Sequence, residues 1–139
     1  MDEQRRAFRR LKGMARSGRL QSLCDEFGVD LLVGFGSAVR KTGRPAHDLD
    51  LAFRLRRGRS ADFLGFIDTL TQAVGTSAID VMNLDQAAPI AREQALAYGE
   101  VLFERRNGDF AREQMAAINA RMDTEWVREL QRRQLTQWQ

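Results

Sequence analysis

Two aspartates one residue apart, Asp48 and Asp50, head the run Asp48-Leu-Asp-Leu-Ala-Phe-Arg-Leu55, in which acidic and apolar residues alternate at the start. Strand side chains alternate with a period of two, so both carboxylates leave the same face. Parallel carboxylates repel each other unless a cation lies between them. Hard oxygen donors in that pattern suit magnesium or manganese, which complete their shells with phosphate and water. A third acid, Asp80, interrupts the apolar run Ile79-Asp-Val-Met. Burying an unpaired carboxylate there would be costly, so a shared metal is the expected partner. Upstream, Gly36-Ser37 ends another apolar run. Glycine lets the backbone approach a ligand closely, and the next amides with the serine hydroxyl can donate to an anion. Each feature alone has an ordinary reading as a turn, a solvated strand edge or an exposed acid. Together they indicate metal-assisted phosphate chemistry.

The elements that must position these residues can be traced along the chain. Phe8, Leu11, Leu20, Leu23 and Phe27 recur at helical steps around Gly13 and Gly18, predicting one helix or two short ones. Val29–Phe35 reads as a buried strand ending at Gly36, Asp48–Leu55 as a second and Ala78–Leu84 as a third. Between the last two, Ser60 is the expected N-cap of a helix carrying Phe63, Ile67, Leu70 and Val74 and closed by Gly75. Pro89 opens a further helical stretch with Ile90 and Leu96, and Gly99 precedes a short strand around Val101–Phe103. Asp109 is placed to cap a last helix with Met115, Ile118, Met122, Trp126 and Leu130 on one side; Met115, Met122 and Trp126 are expected to cover the sheet or, if exposed, to form a methionine-rich docking surface. The alternation of strands and helices predicts an α/β fold, a small mixed sheet flanked by helices with an extra C-terminal helix. The expected organisation is a core over 1–106, including the N-terminal helical segment, and a helical extension over 107–139.

The 139 residues bound the chain to one domain of modest core. No apolar run is long enough for a membrane span, and arginines occupy the place of a signal peptide's apolar stretch, so a cytoplasmic protein is expected. Cys24 is the only cysteine, which excludes an internal disulfide. The net charge of +3 comes from arginine clusters at Arg5–Arg19, at Arg54, Arg56, Arg57 and Arg59, and at Arg128, Arg132 and Arg133. The terminal clusters read as solvated helix faces. The middle one is expected at the strand end remote from the acids. Without interleaved aromatics or a recognition motif, direct nucleic-acid binding is the weakest reading.

The spacing Gly36-Ser37, ten residues, Asp48-Leu-Asp50 resembles the signature of the DNA polymerase β-like nucleotidyltransferase superfamily, with Asp80 where that family has its last carboxylate. The short chain and the segment from Ile79 through Pro89, Ala95, Leu96, Gly99 and Val101-Leu-Phe103 to Arg105 resemble its minimal nucleotidyltransferases (MNT), antitoxins of HEPN-domain toxins. The resemblance implies that Asp48, Asp50 and Asp80 hold two Mg2+ ions, with Mn2+ as a substitute. It implies that Gly36 and Ser37 hold the β- and γ-phosphates of ATP or another nucleoside triphosphate, with Arg40 as a bidentate partner. The implied reaction is transfer of AMP to a hydroxyl, tyrosine in kind, of a cognate HEPN toxin, in a homo- or hetero-oligomer. The competing reading is an antitoxin that binds nucleotide but silences its toxin by contact alone. Two positions depart from the family pattern: Lys41 stands where a glycine is common, and His47 where a serine is frequent.

Overall fold

The computed structural model describes residues 2–40, 48–56, 62–76 and 78–137. Its centre is a mixed sheet of β1 (Val29–Phe35), β2 (Leu49–Leu55), β3 (Ile79–Asn83) and β4 (Glu100–Glu104), in the order β3-β2-β1-β4. β1 runs antiparallel to β2 and β4, whereas β3 runs parallel to β2. A parallel neighbour requires a crossover, and α3 (Phe63–Val74) lies in that connection. The N-terminal periodicity resolves into two helices, α1 (Glu3–Ser17) and α2 (Arg19–Phe27). The chain breaks at Gly18, whose φ of 87° is left-handed, while Gly13 stays inside α1. α4 (Pro89–Ala97) and α5 (Asp109–Gln137) complete the order of elements.

Period-two alternation divides the interior into two layers. Leu32 with Leu49, Leu51 and Phe53 faces a core built with Phe8, Leu11, Leu20, Leu23, Phe66 and Leu70 from α1, α2 and α3. Leu31, Val33 and Ala52 face the other way, against Leu84, Ala95, Leu96 and Ala117. Asp50 shares the parity of Ala52, so the acids belong to the layer that α4 and α5 cover further along the sheet. The observed N-cap of α3 is Asp62, whose carboxylate accepts from the Gly65 amide at 3.0 Å. The expected cap Ser60 lies outside the described residues, as do Arg57, Arg59, Lys41 and His47.

The C-terminal helix turns its apolar stripe outward. Its first turn is held by Glu104 of β4, which accepts from the amides of Gly108 and Phe110 at 3.2 and 2.9 Å. Asp109 instead pairs with Arg112 at 2.7 Å and with Arg54 at 3.3 Å. The docked side carries Glu113, Gln114, Ala117 and Arg121. Arg54 reaches Glu113 at 2.5 Å, Gln114 donates to the Leu96 carbonyl at 3.0 Å, and Arg121 reaches Glu93 at 2.9 Å. At ~100° per residue, Met115, Met122, Trp126 and Leu130 centre about 160° away from that side. They are exposed, Met122 by 62% and Trp126 by 67%. Of the two placements expected for the stripe the exposed one is found, and Ala117 joins Ala95 and Leu96 of α4 in the core in its stead.

Candidate active site

Strand register brings the acids to one end of the sheet. Phe35 is opposite Asp50 in β1–β2, and Asp50 is opposite Asp80 in β2–β3, with Asp48 immediately before β2. Asp50 is half-buried, while Asp48 and Asp80 are exposed. Burial, then the negative charges of Asp80 and Asp48, push the Asp50 carboxyl up to about 6. The desolvation expected at Asp80 thus falls on Asp50. β3 is an edge strand and leaves its own acid in water, whereas β2 is enclosed on both sides.

Gly36 follows β1 with φ of 77°, and a Cβ built there would collide with the Asp50 carboxylate. Its carbonyl accepts from the amides of Val39 and Arg40 at 3.1 and 3.0 Å, closing a tight turn over residues 36–40. Ala38 anchors that turn in the core at 5% exposure. From outside, Arg5 of α1 donates to the carbonyls of Ser37 and Arg40 at 3.2 and 3.4 Å. It reaches them because α1 packs closely on the end of β1. A Cβ on Gly34 would collide with the Phe8 ring, one helical turn from Arg5. The solvated-face reading of the N-terminal arginines fails at half-buried Arg5, whereas Arg10 is exposed and also donates to the Val74 carbonyl at 2.5 Å. No sequence signal separates Arg5 from the other arginines of α1, since its target lies more than thirty residues away.

The guanidinium of Arg40 lies over the Tyr98 ring, 4.9 Å from its centroid. Among the described residues it has no carboxylate partner. Arg54, Arg56, Arg92, Arg105 and Arg121, by contrast, each reach a carboxylate. At the opposite end of the sheet a cleft of about 870 Å3 is lined by Asp30, Arg54, Arg56, Arg105, Asp109 and Glu113. There Asp30, at the bulge in β1, takes Arg105 at 2.5 Å and Arg56 at 3.5 Å, and Arg54 clamps α5. Arg54, Arg56 and Arg105 there each reach a carboxylate, and Arg106 lines the cleft beside them. The expectation that the middle arginine cluster lies remote from the acids holds for Arg54, which is opposite Leu31.

The donor set near Asp50 suits a hard divalent cation: carboxylate oxygens, that of Asp50 raised to about 6 by burial and by its two acidic neighbours, beside a glycine whose missing side chain leaves them room. Among the described residues no three acidic, thiol or imidazole groups are already drawn into a coordination shell. Phosphate oxygens and water would have to complete it. The acids lie at the same end of the sheet as the Gly36–Arg40 turn.

Comparison with known proteins gives the same direction. No curated protein sequence matches significantly. Among solved structures, a chain from a toxin–antitoxin complex with AMP-PNP superposes with a TM-score of 0.63 at 17% identity, covering 84% of this chain and 95% of that one. A chain from the Shewanella oneidensis complex of tri-AMPylated HEPN toxin with MNT antitoxin gives 0.61 at 16% identity, covering 90% and 98%. A chain from a MntA-HepT toxin–antitoxin crystal gives 0.59 at 15%, covering 86% and 95%. These likenesses establish the shared fold. The polymerase beta nucleotidyltransferase family model matches residues 19–108, from α2 through the last strand. Spanning most of the chain and every strand of the sheet, that match shows that the protein belongs to the polymerase β nucleotidyltransferase family.

Proposed function

We propose that this protein transfers AMP from ATP to a hydroxyl of a cognate HEPN-type toxin and so acts as its antitoxin. The observation that carries the reading is the meeting, at one sheet end, of Asp48, Asp50 and Asp80, with Asp50 raised to about 6 by burial and by its two acidic neighbours, and of the tight Gly36–Arg40 turn, whose arginine has no carboxylate partner among the described residues. The structural relatives that carry AMP-PNP, or accompany an AMPylated toxin, support the choice of nucleotide and acceptor.

In this reading Asp48, Asp50 and Asp80 hold magnesium. Bound there, the metal supplies neutralisation of the α-phosphate and leaving-group charge. The amides and hydroxyl of the Gly36–Ser37 turn and the Arg40 guanidinium bind the β- and γ-phosphates. The acceptor oxygen forms its bond to the α-phosphorus as the bond to the β-phosphate bridging oxygen breaks, and pyrophosphate leaves on the Arg40 side. Exposed Asp80 takes the hydroxyl proton. Residues 1–106 do this chemistry, and 107–139 dock the acceptor through the outward stripe Met115, Met122, Trp126 and Leu130, whose exposure suits a flexible apolar contact.

That stripe also favours a second reading, inhibition by contact alone, because docking on it needs no catalysis. Protein, magnesium and ATP incubated with the HEPN partner should add AMP units by intact mass. The combined Asp48→Asn, Asp50→Asn variant should bind the partner and leave its mass unchanged. A partner that is inhibited yet gains no mass with any of the four nucleotides would decide for contact alone.

A further inference from the structure

Tyr98 is the only tyrosine of the chain and the residue that ends α4. The residue is 63% exposed, so packing of the core does not account for it. The backbone beside it is fixed. A Cβ on the next residue, Gly99, would collide with the Ala95 carbonyl and the Val33 side chain, and would stand 3.1 Å from the Gly34 carbonyl. The close approach of Gly99 thus pins Tyr98 to the strand that delivers the Gly36 turn two residues later. Glu100, in register with Gly34, continues β4 from there. On the other side of the contact, Arg5 ties the backbone of the turn through the Ser37 and Arg40 carbonyls. With backbone held on both sides, the Arg40 side chain is the movable part, and the Tyr98 ring is what it rests on.

We propose that Tyr98 is a positioning residue that keeps the Arg40 guanidinium at the phosphate-binding turn. The proposal rests on the reading of Arg40 as a partner of the triphosphate. A ring face attracts a cation through its quadrupole without supplying a counter-charge. A carboxylate in the same place would hold Arg40 equally well, but would occupy its N–H donors and cancel the charge a triphosphate needs. Arg54 and Arg105 are held by carboxylates, Arg105 with the Phe103 ring beside it as well, whereas among the described residues the Arg40 side chain has the Tyr98 ring and no carboxylate. The ring, not the hydroxyl, is the working part.

Calorimetric titration of AMP-PNP and of AMP, with manganese, into the full chain tests this. Tyr98→Leu should weaken AMP-PNP by about two- to fivefold, the range of an exposed cation–π contact, and leave AMP unchanged. KM for ATP should rise in the same proportion with kcat unchanged. Tyr98→Phe should restore parental values, and in an Arg40→Ala background Tyr98→Leu should have no further effect. Equal weakening of AMP, an effect that persists without Arg40, or a phenylalanine variant as weak as the leucine one would overturn the assignment of Tyr98. Arg40→Ala with unchanged AMP-PNP affinity would instead overturn the reading of Arg40 on which it rests. Urea midpoints of all variants should match the parent, since the truncated ring is exposed.

Discussion

Replacing Asp50 with asparagine should stabilise the fold and abolish metal-dependent binding in one step. In the folded chain, burial and the charges of Asp80 and Asp48 raise the Asp50 carboxyl from 3.8 to about 6. Between those values the folded protein holds a proton that the unfolded chain has released, so stability falls as pH rises through that window and is lowest above about 6. At full strength the displacement corresponds to about 3 kcal/mol. Asp50 is only half-buried, and solvent screening reduces the cost to roughly 1 kcal/mol. An amide escapes it. Asp50→Asn should therefore be about 1 kcal/mol more stable than the parent at pH 8, with Tm higher by roughly 3–5 °C, and show no gain at pH 4.5, where the parent carboxyl is protonated. Manganese should raise the parent's Tm at pH 8, lose that effect as protons compete below about pH 6, and do nothing to the variant. Thermal melts at the two pH values, with and without manganese, supply every quantity needed. If the parent and variant differ by the same amount at both, the charge crowding inferred around Asp50 does not exist.

Gly36→Ala would force an alanine to φ of 77° and drive its Cβ into the Asp50 carboxylate. It should cost more than about 1 kcal/mol in urea denaturation and eliminate AMP-PNP binding; a stable variant with parental affinity would refute the close approach. Arg54→Ala leaves Asp109 and Glu113 without their shared cation, and a loss of about 1 to 3 kcal/mol with earlier proteolysis within α5 is expected. A change below about 0.5 kcal/mol would mean the clamp contributes nothing beyond an ordinary surface pair. Cys24 is fully buried, and burial, aided by Asp25 and opposed by Arg105, pushes its thiol up to about 12. A disulfide reagent at pH 8 should modify it only at the rate of unfolding, and a fast native-state reaction would show that the α2 layer opens.

Local covalent geometry made much of this protein readable in one dimension. The spacing from Gly36 and Ser37 to Asp48 and Asp50, the alternation that puts residues 48, 50, 52 and 54 on one face, and the glycines at 18 and 75 all act within their own element, so the residues alone specify their effect. The strand–helix order, and with it the family, was legible for the same reason. Other facts depend on which neighbours meet across the chain. Strand order made β3 an edge, leaving Asp80 in water and transferring the burden of burial to Asp50. The apolar stripe of α5 satisfies helical periodicity as a core face should, yet Arg54 and Glu93, from other elements, hold the opposite side against the body and turn the stripe outward. Arg5 and Tyr98 carry no mark in the sequence, because each acts on a turn delivered by a different strand. Periodicity tells a residue's direction relative to its own axis; only tertiary packing sets where that axis lies and what charge or ring waits in that direction.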